Sequence, residues 1–446
     1  MKRILSIIAV VGALLFISYS CTEDEVIRPE NSLNVNLTEY YVSIDQAEHD
    51  LRSFLKDMAA GTKSLSELEI SERLTITTTS TKAEEEPIVY YVFNFKNDEG
   101  YAMMAGDSRV PSPLCFVEQG RYCERNQSED LGEFIKDELM GMYRVARLLP
   151  DSLKYECYSL DHIPFTKADS FYPVDTVYKD GKYYVYYNWV LDGTPCGTCL
   201  SAEWQQESPF NLLCPLYYDS VHHSYRTSRA GCTPIAVAQI MSYWQVDPPS
   251  PYSSLDWNYM SAIQNAGSSP TDYVAWNMVQ TLIRRLGDEE NLDANYGAST
   301  PASHYNSPRT FINFGYSSGG AIQSYNYLTL RSSLSSGPAL GVGYRYETVA
   351  DSTYLKGHTW VYDRYVHRKR PLVVYDNSWH IITSQMLCSD LLHINWGWGG
   401  AYNGYFANSR FNRSEHMEDP LDPYIESTDP TRYYHYYLQM NTGIMP

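Results

Sequence analysis

A chain of 446 residues is too long for one ordinary globular domain, and 43% hydrophobic residues are ample for folded cores. Against 53 acidic residues stand 34 basic ones, and the net charge of −19 argues against nucleic acid and against an anionic membrane surface as partners. Tyrosine is abundant, 41 residues against 13 phenylalanines, which suits the strands and surfaces of an exported protein but names no ligand.

Lys2 and Arg3, the apolar run over residues 4–17 and Ser18-Tyr-Ser20 predict a signal peptide over residues 1–20, too short to remain as a membrane span. Cys21 follows those small residues as the lipidated cysteine follows a bacterial lipobox, and residues 21–36 read as a polar tether. Thr22-Glu-Asp-Glu25 resembles the surface-export signals of some Gram-negative lipoproteins. The expected location is therefore the outer membrane or cell surface, with the periplasm or free secretion as alternatives. A lipid anchor is the only membrane contact expected.

Residues 37–165 carry a pattern of their own. Ser43 and Gln46 predict a capping box, followed by a helix with Ile44, Ala47, Leu51, Phe54, Leu55 and Met58 on one face. The threonine-rich stretch 75–81 reads as a strand. Ile88 to Phe95, Asn97-Asp-Glu-Gly100 and Tyr101 to Ala105 read as a β-hairpin, and a second helix is expected over 130–149. This is a small α+β module with no catalytic constellation. The weakly patterned stretch from Tyr155, and 166–189 in particular, reads as a linker open to an activating cut.

Residues 190–446 alternate aromatic strands, glycine-rich turns and two clear helices, 233–243 and 273–286, which predicts a second, larger α+β domain. Of nine cysteines, Cys196-Gly-Thr-Cys199 has redox or zinc spacing, but no second pair completes a four-ligand site. A loop disulfide or two thiols is the expected state, and no metal or organic cofactor is implied.

The chemistry centres on Thr227-Ser-Arg-Ala-Gly-Cys-Thr-Pro-Ile-Ala-Val-Ala-Gln-Ile-Met-Ser-Tyr-Trp244. Pro234 suits the first position of an amphipathic helix and Thr233 its cap, so Cys232 falls at the positive end of the helix dipole, where a thiol pKa drops. A nucleophile needs a base and an oxyanion donor. Gln206, in a Gln-Gln pair with Gln205, offers the donor. His358 follows Gly357 at the start of an alternating strand and offers the base. Asn395 and Trp396 enter a glycine turn where an asparagine oxygen orients an imidazole and an indole excludes water. His393 is the nearest rival base, and its place on the strand favours a structural part.

Gln, Cys, His and Asn occur here in the order found in papain-like cysteine peptidases. Gln206-Glu-Ser-Pro-Phe-Asn-Leu-Leu-Cys-Pro215, Ala230-Gly-Cys-Thr-Pro, Gly357-His358 and Asn395-Trp-Gly-Trp-Gly-Gly400 resemble the motif set of the streptopain family, and Tyr91 to Arg109 resembles its propeptide. The resemblance implies a papain-like fold over 190–446 and an inhibitory propeptide over 37–165. It implies an endopeptidase acting on proteins or peptides, with its own propeptide as intramolecular inhibitor. On matching positions Cys232 is the nucleophile, His358 the general base and acid, Gln206 the oxyanion donor, and Asn395 and Trp396 the groups that position the histidine. Gly357 and Thr300 match substrate-binding segments.

Two other readings use the same residues: an acyl or peptide transferase, and a non-catalytic surface-binding lipoprotein. One departure from the family pattern is plain, because 37 positions separate His358 from Asn395. The extra stretch, which includes His367-Arg-Lys-Arg370, reads as a hairpin near the site that restricts substrate access.

Overall fold

Ser43 ends an extended stretch and its Oγ accepts from the Gln46 N–H at 3.2 Å, which starts the helix Ile44–Met58. The capping box is only half built, because the Gln46 side chain donates forward to Asp50 at 2.9 Å and does not turn back to the cap. Ala47, Leu51, Phe54, Leu55 and Met58 are buried on one face, and Ile44 lies at its edge. The computed structural model describes residues 40–59, 65–78, 87–123, 130–149, 151, 155–160, 171–349, 352–408 and 438–446. The expected signal peptide, Cys21 and the tether lie outside the described residues.

The predicted hairpin is present as Ile88–Phe95 and Tyr101–Ala105, joined through Lys96–Asp98. The threonine-rich strand starts earlier than expected, at Ile70, and runs to Thr78. The second helix spans Asp130–Leu148. Both helices lie against the four strands, the last of which is Cys115–Val117.

That fourth strand joins the two halves of the chain. Cys115–Val117 pairs antiparallel with Gly404–Ala407, so one sheet runs on through Ile381–Asn395, Ser352–Tyr375, Ala339–Val349, Gln439–Met445 and Ser318–Ser324. The apolar core is shared across the seam: Phe54, Phe95, Phe116, Ile135 and Leu139 belong to the same buried cluster as Trp360, Trp396 and Phe406. The N-terminal module is built onto the C-terminal sheet, and the two belong to one compact unit.

A second core lies on the other side of the C-terminal domain. The helix Cys232–Trp244 runs through it with every residue from Thr233 to Met241 buried, so it is a central helix and not the amphipathic one expected. Tyr273–Leu286 packs beside it through Ala275, Val279, Leu282 and Ile283.

The stretch read as a loose connection is strand-rich where it is described. Glu156–Ser159 pairs with Ile381–Asn395, and Pro173–Lys179 with Lys182–Tyr187 makes a hairpin whose second strand pairs with Leu372–Tyr375. Four tyrosines and a valine over 183–187 supply β propensity that the surrounding charges masked.

The long stretch after His358 is a two-stranded ribbon turning at residues 376–380, and it docks the N-terminal module. Its Arg368 donates to the Ser112 carbonyl at 2.8 Å and covers the rings of Phe54 and Trp189, while Arg370 lies 4.6 Å from the Trp189 ring and 4.7 Å from that of Tyr186. Both guanidiniums are buried, and burial, with Arg370 adding a like charge, lowers the Arg368 pKa to about 10. Arg368 and Arg370 thus reach the N-terminal module and the connection, while His367 pairs with Asp390 on the same ribbon and Lys369 with Asp192 at 2.8 Å.

Candidate active site

Gly231 caps the central helix at φ 93°, a backbone region that favours glycine, and a Cβ there would meet the Thr300 carbonyl oxygen at 2.8 Å. Cys232 is therefore the first helical residue, two residues earlier than a Thr233 cap would give. The Thr233 hydroxyl is hydrogen-bonded to the Thr359 hydroxyl at 2.9 Å and pins the start of the helix to the strand Ser352–Tyr375. His358 is on that same strand, next to Thr359. The Cys232 thiol and the His358 imidazole thus come from two elements locked side by side.

The half-buried Cys232 thiol is hydrogen-bonded to His358. Burial alone pushes the thiol pKa up. The hydrogen bond and charge of His358, with hydrogen bonds from the Thr359 backbone and hydroxyl, outweigh it and bring the thiol from an ordinary 9.0 down to about 7. On the far side of the ring, His358 Nε2 lies 2.9 Å from the Trp396 main-chain oxygen. A carbonyl only accepts, so Nε2 carries a proton, and in the neutral ring Nδ1 is left to take the proton of the thiol.

Sequence reasoning gave this orienting role to the Asn395 oxygen, and the geometry gives it to the Trp396 carbonyl. Asn395 Oδ1 accepts instead from the Gly397 N–H at 3.1 Å and from Gln239 at 2.9 Å, and its Nδ2 donates to the Ala202 carbonyl at 2.9 Å. Asn395 shapes the turn that presents the carbonyl. The indole of Trp396 lies 6.0 Å from the His358 ring at 24°, and Trp360 flanks it at 6.3 Å and 25°, so two indoles wall the imidazole.

Gln206 is brought beside the nucleophile by its main chain, whose carbonyl accepts from the Ala230 N–H at 2.8 Å. Its side-chain amide has no hydrogen bond among the described residues. Gln205 differs: its Nε2 donates to the Ser208 carbonyl at 2.8 Å. The Cys232 N–H lies in the first turn of the helix and so lacks an intrahelical partner.

The substrate-side expectations divide. Thr300 lies against residue 231, but its hydroxyl donates to the Arg229 carbonyl at 2.7 Å and holds its own loop. Gly357 is exposed, and a Cβ there would meet the Tyr344 ring at 2.6 Å. Tyr344 in turn pairs with the buried His304 at 2.8 Å, and His304 with Gln439 at 2.7 Å. No periodicity or motif in the sequence pointed to that trio, whereas Thr359, next to His358, was within reach of sequence reasoning.

His393 proves to be a structural residue. Its ring is buried, with Nδ1 2.5 Å from Asp363 and Nε2 3.4 Å from Glu118 of the N-terminal module. Burial disfavours the charged ring, but the Asp363 carboxylate outweighs burial and raises its pKa well above the ordinary 6.5. Cys199, Asp363 and His393 place three ligand-type atoms within 4.8 Å of one another. A metal there would have to displace the imidazolium from its two carboxylates. Cys196 and Cys199 are both thiols.

Residues 204–406 match the Peptidase C10 family, and residues 38–140 match the Spi protease inhibitor family. No curated protein matches the chain. The first match spans Gln206, Cys232, His358, Asn395 and Trp396, and the second spans the module whose last strand is paired into the peptidase sheet. The C-terminal domain belongs to the Peptidase C10 family, the streptopain family of cysteine peptidases, and an inhibitor-like propeptide domain precedes it, so the chain is a cysteine protease made as a zymogen.

Proposed function

We propose that this protein is an exported endopeptidase whose Cys232–His358 pair hydrolyses peptide bonds of proteins. The observation that carries the reading is the thiol itself: hydrogen-bonded to an imidazole whose other nitrogen is fixed by the Trp396 carbonyl, and brought down to about 7. In the first step the Cys232 sulfur forms a bond to the substrate carbonyl carbon, and the Gln206 amide and Cys232 N–H hold the oxyanion. His358 then gives its proton to the leaving amine as the C–N bond breaks. A water, deprotonated by His358, adds to the thioester, and the acid product leaves with the sulfur restored. Asn395 and Trp396 hold the ring for these transfers, and the Gly357 and Thr300 segments border the substrate.

Transfer of the acyl group to an amine uses the same thioester and diverges only at the last step. Incubating the processed enzyme with a peptide substrate, with and without added amine, separates the two by product mass. The expected product is the free acid in both; an amide as the main product with amine present would make it a transferase.

The domain bounds 37–165, 166–189 and 190–446 belong to the same proposal, with the activating cut between the modules. Hydrogen bonding of 173–187 into the sheet favours a cut before Pro173 within that range. Export rests on the charged and apolar residues of 1–20, and anchoring on Cys21. Cells fed a labelled fatty acid are expected to label the wild type and not Cys21→Ser. Equal labelling of both would remove Cys21 as the anchor.

A further inference from the structure

Gln239 is seven residues beyond Cys232 on the central helix, which returns it to the same face two turns along. It is fully buried, a costly place for an amide unless its hydrogen bonds are worth more elsewhere. Its Nε2 donates to the Ala202 carbonyl at 2.6 Å and to Asn395 Oδ1 at 2.9 Å. Neither amide is ambiguous in orientation. Asn395 Nδ2 faces the Ala202 carbonyl, which only accepts, and its Oδ1 faces the Gly397 N–H, which only donates.

Those three bonds join three segments that carry different parts of the chemistry. The helix holds Cys232. The 395–397 turn presents the carbonyl that fixes His358, and it rests directly on the helix: a Cβ at Gly397 would lie 3.1 Å from Ile235 and 3.6 Å from Gln239 Oε1. Ala202 begins the segment that runs to Gln206, and the Gly399 N–H returns to Trp204 on it at 3.2 Å. Gln239 is the one described side chain on the helix that hydrogen-bonds both of the other segments. We infer that Gln239 is a positioning residue for the reaction: it clamps the Asn395 turn so that the Trp396 carbonyl holds His358 in register with Cys232. The inference rests on the Cys232–His358 reading and deepens it.

Gln239→Leu removes the donor at similar volume. Gln239→Glu places a carboxylate against two acceptors, and regains a donor only when protonated. The test measures kcat/KM of the processed enzymes, and also the rate at which iodoacetamide alkylates Cys232 in the full chain across pH, read by mass on the Cys232 peptide. Gln239→Leu is expected to lose roughly 10- to 100-fold in kcat/KM, the effect of a small misplacement of a catalytic group. Its Cys232 alkylation midpoint is expected to rise. Gln239→Glu is expected to recover toward wild type as the pH falls to about 5, where a carboxyl between acceptors takes up a proton. That acid rescue needs only Gln239→Glu to fold, and a merely structural glutamine would not produce it. A neutral midpoint in wild type with unchanged rates and profiles in both variants overturns the inference and leaves the catalytic pair standing. Absence of the neutral midpoint in wild type overturns the pair itself, and the inference with it.

Discussion

In Cys232→Ala, cleavage of a peptide substrate, self-processing and labelling by a thiol-directed epoxide are all expected to disappear, because no other side chain at the start of the helix can form the thioester. His358→Ala separates the activation of the sulfur from the sulfur itself. Without the imidazole, the burial that pushes the thiol up is opposed only by Thr359, and the midpoint of Cys232 alkylation is expected to climb from about 7 toward the ordinary 9.0. The sign follows from the thiolate being the reactive form: a lowered pKa keeps the sulfur reactive at and above neutral pH, and reactivity is lost as the pH falls through 7. A two-unit rise makes the thiolate about 100-fold scarcer well below the midpoint. An unmoved midpoint in His358→Ala would show that another group activates the sulfur.

How much of this was legible in the sequence depends on how local each cause is. The hairpin over 88–105 and the helices over 44–58, 130–148 and 273–286 are written in periodicity and turn residues, and the structure has them at or within a few residues of the expected ends. Cys232 and His358 come together as expected because a thiol at a helix start and an imidazole on an alternating strand each leave a mark along the chain. The partner of His358 leaves none, since a main-chain carbonyl looks the same at every residue. The side chain at 395 resembled an orienting group and instead holds the turn that supplies one. Gln239 was present in the quoted motif, but its use depends on Ala202 and Asn395, far away in sequence. The ribbon after His358 shows the same limit: it read as a hairpin near the site, while the burial of its arginines against Phe54, Tyr186 and Trp189 is set by the pairing of distant strands.

Strand pairing across the two domains predicts how latency is kept. Phe116 is buried to 1% in the strand that joins the sheets, with the rings of Phe54 and Phe95 edge-on at 6.2 and 6.0 Å. Phe116→Ala is expected to cost about 3–5 kcal/mol, the usual effect of emptying a packed aromatic site. The cost falls on the seam, because residues on both sides of it share this cluster, including Trp396 beside His358. The propeptide domain should therefore separate more readily, and the precursor should process itself sooner after refolding than the wild type. Phe311→Ala supplies the control: Phe311 is equally buried but belongs to the core around the central helix, away from the seam. It is expected to lower the unfolding midpoint comparably without hastening processing. Gel time courses and thermal melts of the two variants decide the matter. Equal processing times at equal destabilisation would mean that the shared sheet contributes to folding but is not what holds the peptidase latent.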